Sequence, residues 1–169
     1  MKNARRAQAL CIVGNLETGR GLQTAIDKCD VLSAVISDHD SDVFEKMEEH
    51  KPVVIVIEDD PGKLDGVKLV QKIRRSAECP NIEIPILLIL SRATTGRAIY
   101  GSESGANHML TSPFTADKLW ESFEQALNDT RKFVNTEEYV GPERRGMSNK
   151  KRGNSSSQFS GKRRRRKDR

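Results

Sequence analysis

Apolar and polar positions along the first 129 residues repeat in two distinct periods. Short unbroken apolar runs stand at 9–13 (ALCIV), 53–57 (VVIVI) and Ile86–Leu90 (ILLIL), with looser ones at 31–36 and His108–Thr111. The run at 53–57 is wholly β-branched, with Pro52 before it and Pro61-Gly62 after it, so it predicts a central strand buried on both faces. Between the runs, apolar residues recur at helical spacing: Leu22, Ala25 and Ile26; Val43, Phe44 and Met47; Val67, Leu69, Val70 and Ile73. A weaker, glycine-containing helix is expected over 94–104, and a strong one over 115–128 with Leu119, Trp120, Phe123 and Leu127 inward. Thr18 and Ser41 are the expected caps of the first two helices. Five strands alternating with five helices through short connections predict an α/β fold, a doubly wound parallel sheet covered on both faces.

Beyond Asp129 the pattern stops. Residues 130–140 keep Phe133, Val134, Tyr139 and Val140, enough to pack back on a domain spanning 8–129. From 141 to 169 the chain is Gly, Ser, Asn, Lys and Arg with almost no apolar residue, which predicts a disordered tail. That tail holds 12 Lys and Arg against 2 acids, about +10, so the rest of the chain is about −5 although the whole is +5. The sequence pI of 9.2 therefore belongs to the tail. Cys11, Cys29 and Cys79 are odd in number and lack a CxxC, which argues against a disulfide framework or zinc site and for reduced thiols in the cytoplasm. The N-terminal apolar run is too short for a signal core, and no stretch approaches a membrane span.

The candidate chemistry lies where strand three ends. Glu58, Asp59 and Asp60 emerge together there, and in open α/β sheets the crevice beyond the carboxyl ends of strands is where sites are built. His39 and His108 have no companion ligands on a shared element, so packing or surface roles are preferred to metal. Gly19-Arg20-Gly21 is expected to form a loop turn rather than a phosphate cradle. The chain has no Ser-His-Asp arrangement, P-loop or dinucleotide fingerprint.

Residues 8–129 resemble a response-regulator receiver domain, the phosphoacceptor module of two-component signalling. Four features carry the likeness: the acids and P-G-K-L-D-G after strand three; Ser91 ending Ile86–Leu90; Gly105-Ala106 before strand five; and Ser112-Pro113-Phe114 opening the last helix. The resemblance implies a flavodoxin-like strand order of 2-1-3-4-5. It also implies an acidic pair ending strand one to hold Mg²⁺, and those positions carry Gly14 and Asn15. The phosphoacceptor position, counted back from Asp65-Gly66, falls on Glu58, with Asp59 as the displaced alternative and Pro61 one residue early. The hydroxyl switch falls on Ser91, or on Leu90 if counted from Gly105; the strand-five aromatic is replaced by Met109, and the Lys before the last-loop Pro by Ser112.

Phosphoryl transfer runs on charge neutralisation by a metal and a cation. Gly14 offers Mg²⁺ no oxygen ligand from its side chain and Asn15 only a neutral amide, so no cofactor and no Mg²⁺ are expected. Glu58 carries its carboxylate about one methylene further than Asp and crudely imitates a phosphorylated Asp. The expected function is a non-catalytic phosphorelay module that meets a histidine kinase or downstream target by protein contact around its last two helices.

The tail supplies an alternative. Arg144, Arg145, then Lys150, Lys151, Arg152, then Lys162, Arg163, Arg164, Arg165, Arg166 and Lys167 form three basic clusters suited to phosphate ligands. Arg-rich extensions of this kind resemble those of single-domain receivers that bind cyclic di-GMP, so a cyclic dinucleotide or a nucleic acid is the second expected partner. A conventional phosphorylated response regulator is the third reading.

Overall fold

A computed structural model describes residues 6–38 and 42–144. The element order is β1 (Ala7–Ile12), α1 (Leu16–Asp27), β2 (Leu32–Ser37), α2 (Val43–His50), β3 (Val54–Asp59), α3 (Gly66–Arg75), β4 (Ile86–Leu90), α4 (Thr95–Glu103), β5 (His108–Thr111), α5 (Ala116–Leu127), β6 (Phe133–Asn135) and β7 (Val140–Pro142). The five main strands form one parallel sheet in the order β2-β1-β3-β4-β5. This is the doubly wound, flavodoxin-like sheet that the apolar pattern and the family resemblance imply.

The central strand explains the layering. Val54 and Val56 face a core closed by Leu22 and Ile26 of α1 and Leu119 and Phe123 of α5. Ile55 and Ile57 face the opposite core, closed by Val43 and Met47 of α2 and by Leu69, Val70 and Ile73 of α3. All four are fully buried, which is why β3 shows no polar alternation. Leu127, expected inward on α5, is 39% exposed, and Ala126 takes the buried position instead.

Local signals shift by a few residues. Asn15 rather than Thr18 caps α1, its Oδ1 accepting from the Thr18 amide at 2.9 Å. Gly19-Arg20-Gly21 is not a loop turn but lies inside α1, where a Cβ on Gly19 would stand 2.6 Å from Ile36 Cγ2. The expected cap Ser41 and His39 lie outside the described residues. Among the described residues no helix is long and apolar enough to cross a membrane.

Segment 130–140, expected to carry enough apolar residues to pack back on the domain, lies within the described residues. Residues 133–142 form an antiparallel hairpin, β6–β7, whose second strand packs against α3 and the turn at Gly105. Gly141 and Pro142, placed in the basic tail by composition, are buried strand residues. Arg74 of α3 ties down the segments that enter β4 and β5, donating from Nε to Gly105 O at 2.9 Å, from one terminal nitrogen to Ile84 O at 2.8 Å and from the other to Asn107 Oδ1 at 2.8 Å. Its guanidinium also lies 5.5 Å from the centre of the Phe133 ring. Burial pulls the Arg74 guanidinium down to about 10, so it stays charged at neutral pH. Gly105 has φ +101, and a Cβ there would sit 2.3 Å from Val140 O, so the hairpin requires glycine at that turn.

Candidate functional site

The three acids that leave β3 together in sequence do not form one cluster. Strand pleating sends alternate side chains to opposite faces. Glu58 continues the α1/α5 face of Val54 and Val56, and Asp59 continues the α2/α3 face of Ile55 and Ile57. Asp60 closes a tight turn, exchanging backbone bonds with Leu64 at 3.1 and 3.0 Å.

On the first face Glu58 is 2% exposed. Its Oε2 accepts from the Gly14 amide at 2.8 Å, and its Oε1 accepts from Ser91 Oγ at 2.6 Å. Both oxygens are thereby held by neutral donors from the ends of β1 and β4. Gly14 belongs in that contact: a Cβ there would meet Lys63 Cβ at 3.1 Å and Glu58 Oε2 at 3.6 Å. Asn15 points its oxygen away, into the α1 cap. Ser91, and not the core residue Leu90, is the hydroxyl brought to the acid.

On the second face Asp59 has no exposed surface. Its Oδ1 accepts from the Gly66 amide at 2.9 Å and the Val67 amide at 3.4 Å, both in the first turn of α3. Arg97 of α4 grips the same carboxylate in a fork, with Nε to Oδ2 at 2.8 Å and the second arm closing on Oδ1. That second arm also reaches Asp65 Oδ1 at 3.1 Å. Burial acts to raise the Asp65 carboxyl, and bonds from the Lys68 amide and Arg97 overcome it and hold it below its ordinary value. The Asp59 hydrogen bond in turn raises the Arg97 guanidinium.

Arg97 is the site residue that sequence reasoning missed. Its one signal was a cation three positions after a threonine cap, the wrong sign for a helix start.

The remaining family positions lie nearby without joining the acids. Met109 is half-buried in the α3-side core, beside Gly101 of α4. Ser112 is half-buried, with its amide donating to Leu90 O at 3.0 Å. His108 lies half-buried on β5, and burial together with the nearby Arg131 lowers it, so it is not a charged group at neutral pH. Of the basic tail positions only Arg144 is described. Its guanidinium lies 4.3 Å over the Tyr139 ring and pairs with Glu103 at 3.3 Å. The other ten, from Arg145 to Lys167, lie outside the described residues.

A receiver fold implies a divalent ion at this end of the sheet, and the donor set does not fit one. Gly14 has no side chain, the Asn15 oxygen is spent on its cap, Glu58 is satisfied by two neutral donors, Asp59 holds a guanidinium, and Asp60 is paired with Lys63 at 3.5 Å and Arg92 at 3.9 Å. Among the described residues no three His, Cys, Asp or Glu side chains stand together as a metal site.

The sheet order, the acids ending β3 and the hydroxyl ending β4 define a receiver-type module, and the chain belongs to the response-regulator receiver family. It is 30% identical over 99 residues to the chemotaxis protein CheY1 of Helicobacter pylori (strain J99 / ATCC 700824), covering 58% of this chain and 76% of that protein. It is 25% identical over 79 residues to the response regulator Rre1 of Synechocystis, covering 47% of this chain but only 33% of that relative's length. A putative response regulator from Chloroflexus aurantiacus shares the fold with a TM-score of 0.63 and 18% identity, over 73% of this chain and 98% of that one. No family model matches the chain.

Proposed function

We propose that this chain is a non-catalytic receiver that signals by protein contact and does not depend on Mg²⁺-assisted phosphorylation. The observation that carries this reading is the Glu58 carboxylate, bonded at once to the Gly14 amide and the Ser91 hydroxyl. The family resemblance places an acceptor Asp where Glu58 stands, and Glu carries its carboxylate about one methylene further. Here the longer Glu side chain reaches Ser91 directly, at 2.6 Å, and so supplies an anionic oxygen at that hydroxyl without phosphorylation.

The lost groups point the same way. An incoming phosphoryl group carries charge that needs a metal and a cation to neutralise it. Positions 14, 15 and 112 supply a glycine, a capping amide and a serine. Ser91 ends β4 and leads into the connection to α4, so its bond to Glu58 fixes the approach to the α4–β5–α5 face. The partner chemistry that suits the reading is a protein surface, either a histidine kinase or a downstream target, meeting that face.

Incubation of the full chain with Mg²⁺ and a labelled small-molecule phosphodonor tests it. The expected result is no acid-stable, base-labile label. Label that disappears when Glu58, Asp59 or Asp60 is substituted overturns the reading in favour of a conventional phosphorylated regulator.

A further inference from the structure

We propose that Arg97 is a built-in cation of this sheet end, clamping α4 to β3 and α3 so that the outward face of α4 is held in one position. The bond geometry is that of a strong charge pair: a forked guanidinium on a carboxylate with no exposed surface, shared with a second carboxylate. Arg97 itself is only 23% exposed at the side chain.

Three further observations give the contact a purpose beyond general stability. First, Arg97 sits in the opening turn of α4, its amide donating to the Thr94 cap at 3.2 Å. A cation there opposes the helix dipole, so the position is unfavourable for the isolated helix and is offset only by the carboxylates it meets.

Second, the apolar footing of α4 is thin. Its sequence is TGRAIYGSE, and Gly101 is its one fully buried residue. Every other helix of the sheet buries at least one large apolar side chain. An ion pair therefore takes over the anchoring that apolar burial provides elsewhere.

Third, the same helix turns Ile99 and Tyr100 to solvent at 53% and 60% exposure. A helix carrying exposed apolar residues on a weak apolar footing would shift and roll, and the Arg97 fork removes that freedom. The clamp lies on the opposite face of β3 from Glu58, so the two acids fix the two ends of one connection, Glu58 at Ser91 and Asp59 at Arg97.

The inference rests on the proposed function only in treating α4 as partner-facing. Amide hydrogen exchange on the full chain tests it without that assumption. In Arg97→Gln, exchange across Thr95–Glu103 should rise at least about tenfold more than across α5. In Asp59→Asn/Arg97→Gln no orphan charge remains, so the urea midpoint should recover while α4 stays unprotected. Arg97→Lys should recover α4 protection only in part, because an ammonium cannot make the fork.

The clamp is refuted if α4 exchange in Arg97→Gln matches wild type or rises only in step with α5, or if the double variant restores α4 protection. Should Arg97→Gln fail to fold, the double variant alone decides the matter by the same comparison. Phosphate uptake by the wild type would overturn the preceding reading and leave the clamp standing.

Discussion

The two acids that follow one another at the end of β3 live in different chemistry. Glu58 is held by an amide and a hydroxyl, both neutral, from β1 and β4. Asp59 is held by a guanidinium from α4 and by two amides at the start of α3. The pleat of one strand separates them, so adjacent residues that read as one acidic site serve two faces. The Glu58 contact is a short hydrogen-bonded bridge, and the Asp59 contact is a tethered cation. The difference implies that the Asp59 side carries more of the stability.

Removing Arg97 should have the largest effect, because it strands the buried Asp59 charge. Arg97→Gln is expected to cost about 3–5 kcal/mol in urea unfolding followed by the fluorescence of Trp120, the one tryptophan. Ser91→Ala removes a bond to a carboxylate on the other face, and a smaller loss of about 1.5–3 kcal/mol is expected by the same measurement. Equal losses would remove the distinction between the faces.

Gly66→Ala sharpens the comparison. A Cβ there would fall 2.6 Å from Glu58 O and 2.9 Å from Asp59 Cα, so α3 must back away from the strand. The expected cost is about 1–3 kcal/mol, from overpacking. Amide shifts should concentrate at Val67 and Arg97 and spare Gly14.

The smallest expected effect is on the acid limb of stability. Asp65 titrates below its ordinary value, so it contributes stability that is present above about pH 4 and is lost as pH falls through its folded value. Part of that depression comes from Arg97, so in Arg97→Gln the Asp65 share of the loss should be smaller and should be complete at a higher pH. Asp129 is also depressed, since its bonds from Arg131 and Asn107 outweigh burial, and it lies at the opposite end of the sheet. Its share of the acid limb should not respond to Arg97, which a series of urea midpoints against pH resolves.

Much of the architecture was legible in the apolar pattern. Ile86–Leu90 and His108–Thr111 form strands at the expected bounds because their runs are short and sharply flanked. The hairpin was less legible, because Gly141 and Pro142 look like tail residues. Their burial rests on the close approach of Gly141 to Gly105, dozens of positions earlier. At the site, Glu58 and Ser91 could be paired from the family spacing, and their contact is present. Arg97 could not be foreseen, because nothing local relates a residue in a weak helix to a carboxylate 38 positions before it. Nor did the run Glu58-Asp59-Asp60 announce its division, which follows only once both faces of β3 are covered.

The most direct measurement is the amide resonance of Gly14 during titration of the full chain with Mg²⁺ and beryllofluoride, a phosphoryl mimic that needs an acceptor carboxylate and a metal. Glu58 already takes up that amide and the Ser91 hydroxyl, so the account predicts that neither resonance moves. A saturable shift of Gly14 and Ser91 that requires both reagents, and that is lost when Glu58 or Asp59 is substituted, would contradict it.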